Sequence, residues 1–295
     1  MLNRIKKKSI AICSNLILLF FLLIVLYPVY FIMITSFESS DTLVIEFSVQ
    51  NFSLDNWKYI LGIDYINTVT QEVVRSPYPF IIWFKNSIKI ASITAAIVLF
   101  ICTLAAYGLY RFTFFGKKYF LISLIILQMF PSMMGMVALF LLLSKLGTFF
   151  PWFGLDTHAG LILTYLGMTP FFIWLTKSYF STIPKSIVEA AMIDGCKEFT
   201  IFYSIILPLA LPMLVVIFIL VFITVFSDFV IPSILIKDPK LLTFAVGMRE
   251  FISAYDIRWG KFAAATILGG LPIVIIFMIT QKFLVQGLTK GSVKE

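Results

Sequence analysis

Residues 209–233 read LALPMLVVIFILVFITVFSDFVIPS, an apolar run in which Asp228 is the one charged side chain. About 20 apolar residues in an α-helix cross the hydrocarbon core of a bilayer. A charged side chain at the centre of that core costs about 2.5–3.5 kcal/mol on insertion scales, but much less near a helix end. The stretch therefore predicts a membrane-spanning helix with Asp228 close to one end.

The rest of the chain has the same character. Of its 295 residues, 60% are hydrophobic and 13% are charged, and the mean hydropathy is +1.01. A soluble domain carries about a quarter charged residues, so we exclude that class. Three cysteines and one histidine give neither a disulfide framework nor a multi-histidine metal centre. We expect no catalytic site and no metal site.

Apolar runs predict an all-α, polytopic membrane protein with six spans. The first is too long for a signal peptide, because its apolar core continues from Ile10 to Ile34. A short helix is predicted after Ser53, in the connection that follows the first span. The predicted spans are 10–35, 84–109, 119–143, 159–177, 209–233 and 262–283. We divide the chain into 1–83 (first helix and external loop), 84–283 (five helices with the inner loop 178–208) and 284–295 (tail).

The distribution of Lys and Arg predicts the orientation. If both termini are cytoplasmic, the inner segments hold thirteen of the 23 cations and four of the 15 acids. The outer segments then hold slightly more acids than cations. Membrane topology thus explains the net charge of +8, and we expect a lipid bilayer and no nucleic acid as partner.

The inner loop 178–208 contains a helix, a break and a second helix. Ile187, Val188, Ala191 and Met192 form one apolar face at helical spacing, and Gly195 is suited to end that helix. A second apolar stripe follows, and Pro208 is expected to break the pattern at the membrane. Such a helix pair has two interpretations on its shape alone: it lies among the lipid headgroups, or it docks into a groove of a partner protein.

A resemblance favours docking. Glu189-Ala190-Ala191, Gly195 and Leu207-Pro208 resemble, at every spacing, the signature of permeases of binding-protein-dependent ABC importers. The resemblance covers about residues 80–295. The stretch 153–167 is similar to the maltose and maltodextrin permeases of the MalG type, as are 242–248 and 284–294, whereas the region around Asp228 and 249–260 departs from that type.

The resemblance implies a set of partners and contact residues. It implies a second, MalF-like permease, two copies of an ATPase subunit and an extracytoplasmic sugar-binding protein in a bacterial inner membrane. ATP and Mg²⁺ would bind to the ATPase, and no cofactor to this chain. The implied residues are Glu189, Ala190, Ala191, Asp194, Gly195, Leu207 and Pro208 for coupling to the ATPase, Gly287, Thr289 and Lys290 for tail contacts with it, and Gly147, Phe149, Trp152 and Phe153 for the binding-protein loop.

Three polar residues are candidates for the translocation path: Gln128, Thr224 and Asp228. Each has a simpler interpretation, respectively an interhelical hydrogen bond, helix packing and a solvated helix end. No G-x-x-x-x-G-K-[ST] phosphate loop is present, so we expect a non-catalytic permease subunit that imports an oligosaccharide, foremost maltose or maltodextrin. The alternatives are an ABC importer for another solute, such as a different oligosaccharide or a glycerol-phosphate ester, and a secondary carrier. Carriers commonly show paired charges in mid-membrane and repeated halves, and the sequence shows neither.

Overall fold

The computed structural model describes residues 2–39, 52–67, 72–129, 132–252 and 257–290, and it is mostly helical. Of residues 2–11, 132–133 and 283–290 it describes the backbone alone. The elements, in chain order, are α1 Leu2–Ser36, α2 Asp55–Leu61, β1 Tyr65–Ile66, β2 Val73–Val74, α3 Phe80–Arg111, α4 Lys117–Met129, α5 Met136–Phe149, α6 His158–Tyr165, α7 Thr169–Phe180, α8 Lys185–Ile193, α9 Glu198–Thr200, α10 Leu207–Ser227, α11 Val230–Leu235, α12 Phe244–Gly247 and α13 Trp259–Lys290.

Within the described ranges, five helical stretches are long and apolar enough to cross a membrane. They are Ile12–Ser36, Phe80–Arg111, His158–Phe180, Glu198–Ser227 and Trp259–Lys282. These correspond to five of the six predicted spans, with ends shifted by several residues. The predicted span 119–143 instead falls on two shorter helices, α4 and α5, with a 3₁₀ turn at Ser132–Gly135 before the second.

The chain divides into two compact units. The first comprises Met1–Ile81 and Met248–Leu271. The short helix predicted after Ser53 is confirmed as α2: the Ser53 hydroxyl accepts a hydrogen bond from the Asp55 N–H at 3.1 Å. Gly62, with φ +71°, ends it. The Phe251 ring packs against Tyr59 and Phe80, with centroid distances of 6.3 and 5.8 Å, and all three side chains are buried.

The second unit comprises Ile82–Gly247 and Pro272–Glu295. A row of small, fully buried side chains runs along α3: Ala91, Ala95, Cys102 and Ala106 are each 0% exposed. Small residues let neighbouring helix backbones approach closely inside a membrane. The Cys102 thiol accepts a hydrogen bond from the α7 residue Thr176 at 3.6 Å. The α3 ring of Phe84 lies 6.3 Å from Phe226 of α10, so α3 contacts both α7 and α10.

Candidate functional site

The inner loop forms the helix and turn that its sequence predicts. Helix α8 starts after Pro184 and buries Val188 and Ala191. These two side chains pack in a cluster whose other members include Phe180, Ile201 and Ile206. The other two residues of the predicted apolar face, Ile187 and Met192, are exposed. The buried stripe of α8 is therefore narrow.

Gly195 ends α8 in a left-handed turn, as predicted. Its φ is +80°, its N–H donates to the Met192 carbonyl at 3.0 Å, and the next N–H, of Cys196, donates to the Ala191 carbonyl at 3.0 Å. This pair of bonds is the Schellman motif, which satisfies carbonyls that have no partner at a helix end. Glu189, Ala190 and Asp194 are exposed beside the turn. The predicted coupling residues of α8 thus share one short, well-defined segment.

The predicted break at Pro208 takes another form. The helix continues from Glu198 to Ser227, and the six residues Ile201–Ile206 that precede α10 form a π-helix. Proline has no N–H to donate, and its ring crowds the carbonyl four residues before it. A π-helical turn widens the helix there, so the chain passes Leu207 and Pro208 without interruption.

One contact in this region was not predicted from the sequence. Arg111, the last residue of α3, binds the Glu198 carboxylate with two nitrogens: Nε to Oε2 at 3.0 Å and Nη2 to Oε1 at 2.5 Å. The Tyr107 hydroxyl donates to the same Oε2 at 3.0 Å. Arg111 Nη2 also lies 2.8 Å from Met192 Sδ. The end of α3 is therefore bonded to both helices of the inner loop.

The segment predicted to meet a binding protein is aromatic and exposed. Phe149 is the last residue of α5, which extends six residues beyond the predicted span end, and Trp152 and Phe153 follow in a 3₁₀ turn. The Trp152 side chain is 81% exposed. Gly147 is needed for the tight return of the chain, because a Cβ at this position would lie 2.9 Å from Gly154 Cα. The four predicted loop residues thus form one compact turn.

Two side chains that follow this turn, and one from α3, bind the connection 236–243. Asp156, at φ +55°, accepts through Oδ1 from the N–H groups of Lys237 and Asp238, and His158 Nε2 contacts the Leu241 carbonyl at 2.9 Å. From α3, the Asn86 amide donates to two carbonyls of the same connection, those of Lys240 and Leu242, each at 3.0 Å. The connection is thus fixed by side chains from α3 and from the segment that leads into α6.

The three candidates for a translocation path lie in separate environments. Gln128 lines a groove of about 130 Å³ together with Leu124, Ile125, Phe171 and Trp174. The Thr224 hydroxyl donates to the Leu220 carbonyl of its own helix at 2.8 Å. Asp228 accepts from the Tyr165 hydroxyl at 2.8 Å and from the Val230 N–H at 3.0 Å, so it joins the end of α10 to α6 and α11.

The predicted tail contacts fall on the last helix. Residues 284–290 continue α13, which ends at Lys290. The side chains of Gly287, Thr289 and Lys290 lie outside the part of the chain whose side chains are described.

Comparisons with known proteins give the family. Residues 97–290 match the family described as binding-protein-dependent transport system inner membrane component. The chain belongs to this family. The permease is 39% identical over 274 residues to the maltose/maltodextrin transport system permease protein MalG of Vibrio vulnificus, which covers 93% of this chain and 92% of the relative. It is 35% identical over 288 residues to the protein of that name from Escherichia coli K12, covering 98% and 97%.

Solved structures agree on the fold. A chain of a bacterial ABC transporter involved in the import of the acidic polysaccharide alginate superposes with a TM-score of 0.70 at 21% identity, over 94% of this permease and 97% of that chain. A chain of the alginate transporter in complex with an alginate pentasaccharide-bound periplasmic protein gives a TM-score of 0.65 at 16% identity, over 94% of each chain. The permease is therefore an inner membrane protein with the fold of ABC transporter permeases.

Proposed function

We propose that this permease forms part of the membrane path of an ATP-driven importer of maltose or maltodextrin. The proposed substrate rests on one observation, the similarity of this chain to maltose/maltodextrin permeases that are 35–39% identical to it over 93–98% of its length. In this proposal a second permease completes the path, two copies of an ATPase subunit bind ATP and Mg²⁺, and an extracytoplasmic binding protein delivers the sugar.

The exposed residues of the inner loop support docking to the ATPase. Ile193, Phe199 and Tyr203 are 87%, 76% and 62% exposed, and the last two rings are stacked with a centroid distance of 6.3 Å. Exposed apolar patches of this kind mark protein interfaces, and aromatic side chains supply much of the energy of such contacts. Because the buried face of α8 packs on the rest of the second unit, its exposed face presents a fixed surface to a partner.

A six-span topology with both termini in the cytoplasm accommodates this role. Helices α4 and α5 together supply the crossing that the sequence predicts at 119–143, and the positive charges of the inner segments face the cytoplasm. The coupling segment then faces the ATPase, and the aromatic turn around Trp152 faces the binding protein.

The mechanism that follows is alternating access. ATP binding closes the ATPase dimer, the segment Glu189–Gly195 follows that movement, and the spans open toward the binding protein to receive the sugar. The bonds around Asp156 and Asn86 keep the outer connection attached to α3 and to the aromatic turn while this happens. Residues of this chain hold and transmit; hydrolysis takes place in the partner.

Reconstitution tests the proposal. The permease is assembled with its second permease and ATPase subunits in proteoliposomes, and uptake of labelled maltotriose is measured with the binding protein present. We expect uptake to require ATP on the side of the membrane where the ATPase subunits are bound. Collapse of ion gradients should not change it. Uptake driven by an ion gradient without ATP would contradict the assignment as an ABC importer. If the binding protein of this transporter retains an unrelated solute, the proposed substrate is wrong.

A further inference from the structure

The ion pair between α3 and the inner loop has a geometry suited to transmitting movement. Glu198 receives three hydrogen bonds through its two carboxylate oxygens, all from Tyr107 and Arg111 of α3. A planar guanidinium that binds a carboxylate with two nitrogens fixes both the distance and the orientation of the two groups. The contact from Arg111 to Met192 adds α8 to the same junction.

The charges also suit the helices that carry them. Arg111 lies at the C-terminal end of α3, and Glu198 is the first residue of the helical stretch that continues through α10. A cation at a helix C-terminus and an anion at an N-terminus both interact favourably with the helix dipoles. The pair therefore joins the C-terminus of α3 to the N-terminus of the stretch Glu198–Ser227, and these two helices also contact each other side by side.

The junction rests on a packed apolar base. Tyr107 and Phe202 have ring centroids 4.6 Å apart, and the cluster beneath them includes the fully buried Ala106, Ile201 and Ile206. This base accounts for the folding of the region without the charges. The Glu198 and Arg111 side chains are 43% and 24% exposed, and exposed ion pairs add little to stability. Their geometry therefore indicates that they hold the two helices in position and contribute little to folding.

We propose that Tyr107, Arg111 and Glu198 are positioning residues that make α3 move together with the inner loop. The movement of the ATPase then reaches two spans at once, α10 through the continuous helix and α3 through the ion pair. This inference rests on the proposed docking of the segment to an ATPase.

The test measures sugar transported per ATP hydrolysed in the complete transporter with its binding protein. Arg111→Glu places two carboxylates together and separates α3 from the inner loop. We expect the ratio to fall about tenfold, within the range of coupling between sites in proteins, while the ATPase subunits still co-purify. The matched control is Lys118→Glu, the same charge reversal at an exposed lysine nearby. An equal ratio in the two variants would overturn the proposal.

Further variants separate position from folding. The exchange Arg111→Glu with Glu198→Arg should recover part of the ratio, because the pair is restored while both charges then oppose the helix dipoles. Tyr107→Phe keeps the ring packing and removes one of the three hydrogen bonds, so its ratio should lie between that of the parent and that of Arg111→Glu. No recovery in the exchange, together with a parental ratio for Tyr107→Phe, would count against a positioning role.

A covalent link tests whether α3 and the inner loop move together. In a chain whose three native cysteines are replaced, Arg111→Cys and Glu198→Cys are joined by a short bifunctional thiol reagent. If the two move together, the linked transporter imports sugar as efficiently as the cysteine-free parent. Loss of transport on linking would overturn the proposal, because it would mean that the two must separate in the cycle.

A separate control detects failure of the docking itself. Tyr203→Asp places a charge on the exposed face, five residues after Glu198, and should prevent co-purification of the ATPase subunits. Normal assembly of this variant would refute the docking surface, independently of the results at Arg111.

Discussion

Replacing Gly195 tests whether the turn after α8 controls coupling. Its φ of +80° lies in the left-handed region, and an added Cβ would meet no atom within 4 Å. The cost of a side chain is therefore conformational and not steric. The left-handed conformation costs an L-residue about 1–2 kcal/mol, less for Asn, and most for a β-branched residue.

These values predict an ordered series. Gly195→Asn should be close to the parent, Gly195→Ala should lose about 1–2 kcal/mol of the turn's stability, and Gly195→Val should lose more and abolish transport. A loss of that size corresponds to a population change of about five- to thirtyfold. Because only the native turn presents the coupling segment correctly, the apparent affinity for the ATPase subunits should fall by up to that factor.

The assay is titration of the ATPase subunits onto membranes that contain the permease variants, followed by binding-protein-stimulated ATP hydrolysis. Membrane insertion, measured by protein level, should be equal in all four. Parental affinity and stimulation in Gly195→Val would refute the coupling assignment. Equal loss in the Asn and Val variants would refute the conformational reasoning, since it would mean that a partner surface lies against Gly195.

Three other predictions concern the opposite side of the membrane and the topology. The double variant Trp152→Ala, Phe153→Ala should weaken binding-protein-stimulated ATP hydrolysis, because large exposed aromatic side chains at interfaces contribute about 2 kcal/mol or more each. Assembly with the ATPase subunits should be unchanged, and equal stimulation of variant and parent across a binding-protein titration would make the turn a plain connector. Asp156→Ala removes two hydrogen bonds to backbone N–H groups, each worth about 1 kcal/mol, and should increase tryptic cleavage at the exposed Lys237 and Lys240. Asp156→Asn retains the side-chain oxygen and the left-handed φ and should resist cleavage, so equal cleavage of the two variants would contradict the role of the Asp156 side chain. Single cysteines at Thr148 and Leu54 should react with an impermeant thiol reagent in intact cells and those at Ser9 and Ser292 should not, Leu54 being preferable to the buried Ser53; labelling of both termini from outside would overturn the orientation.

Local patterns predicted much of this architecture. The turn at Gly195 and the short helix α2 depend on signals within a few residues, a glycine after an apolar stripe and a serine before an acidic first turn. Five spans follow from the sequence because an apolar run of this length crosses a bilayer as an α-helix, in which each backbone polar group is hydrogen-bonded within the run. The same argument predicts one helix over 119–143 where the structure has α4 and α5, because hydropathy does not register a change from one helix to two.

The long-range contacts could not be predicted from the sequence. Arg111 and Glu198 are 87 residues apart, and Asp156 and Lys237 are 81 apart. Neither pair has a local pattern that selects its partner. The sequence predicts a translocation path or a solvated helix end for Asp228, and its partner in the structure, Tyr165, depends on how α6 packs. The exposure of Ile187 and Met192 likewise depends on how α8 is placed on its neighbours.

The π-helix at Ile201–Ile206 lets this helix hold about one residue more than an α-helix of the same length would hold, because its hydrogen bonds span five residues and not four. Deletion of one residue from this stretch would therefore allow it to become α-helix while Glu198 still faces Arg111. In the α-helical part of α10, each residue turns the chain by about 100°. Deletion of one residue there would rotate Glu198 by roughly that angle about the helix axis and point its carboxylate away from Arg111. The six-residue stretch is thus the place where the length of this helix can change by one residue without loss of the ion pair.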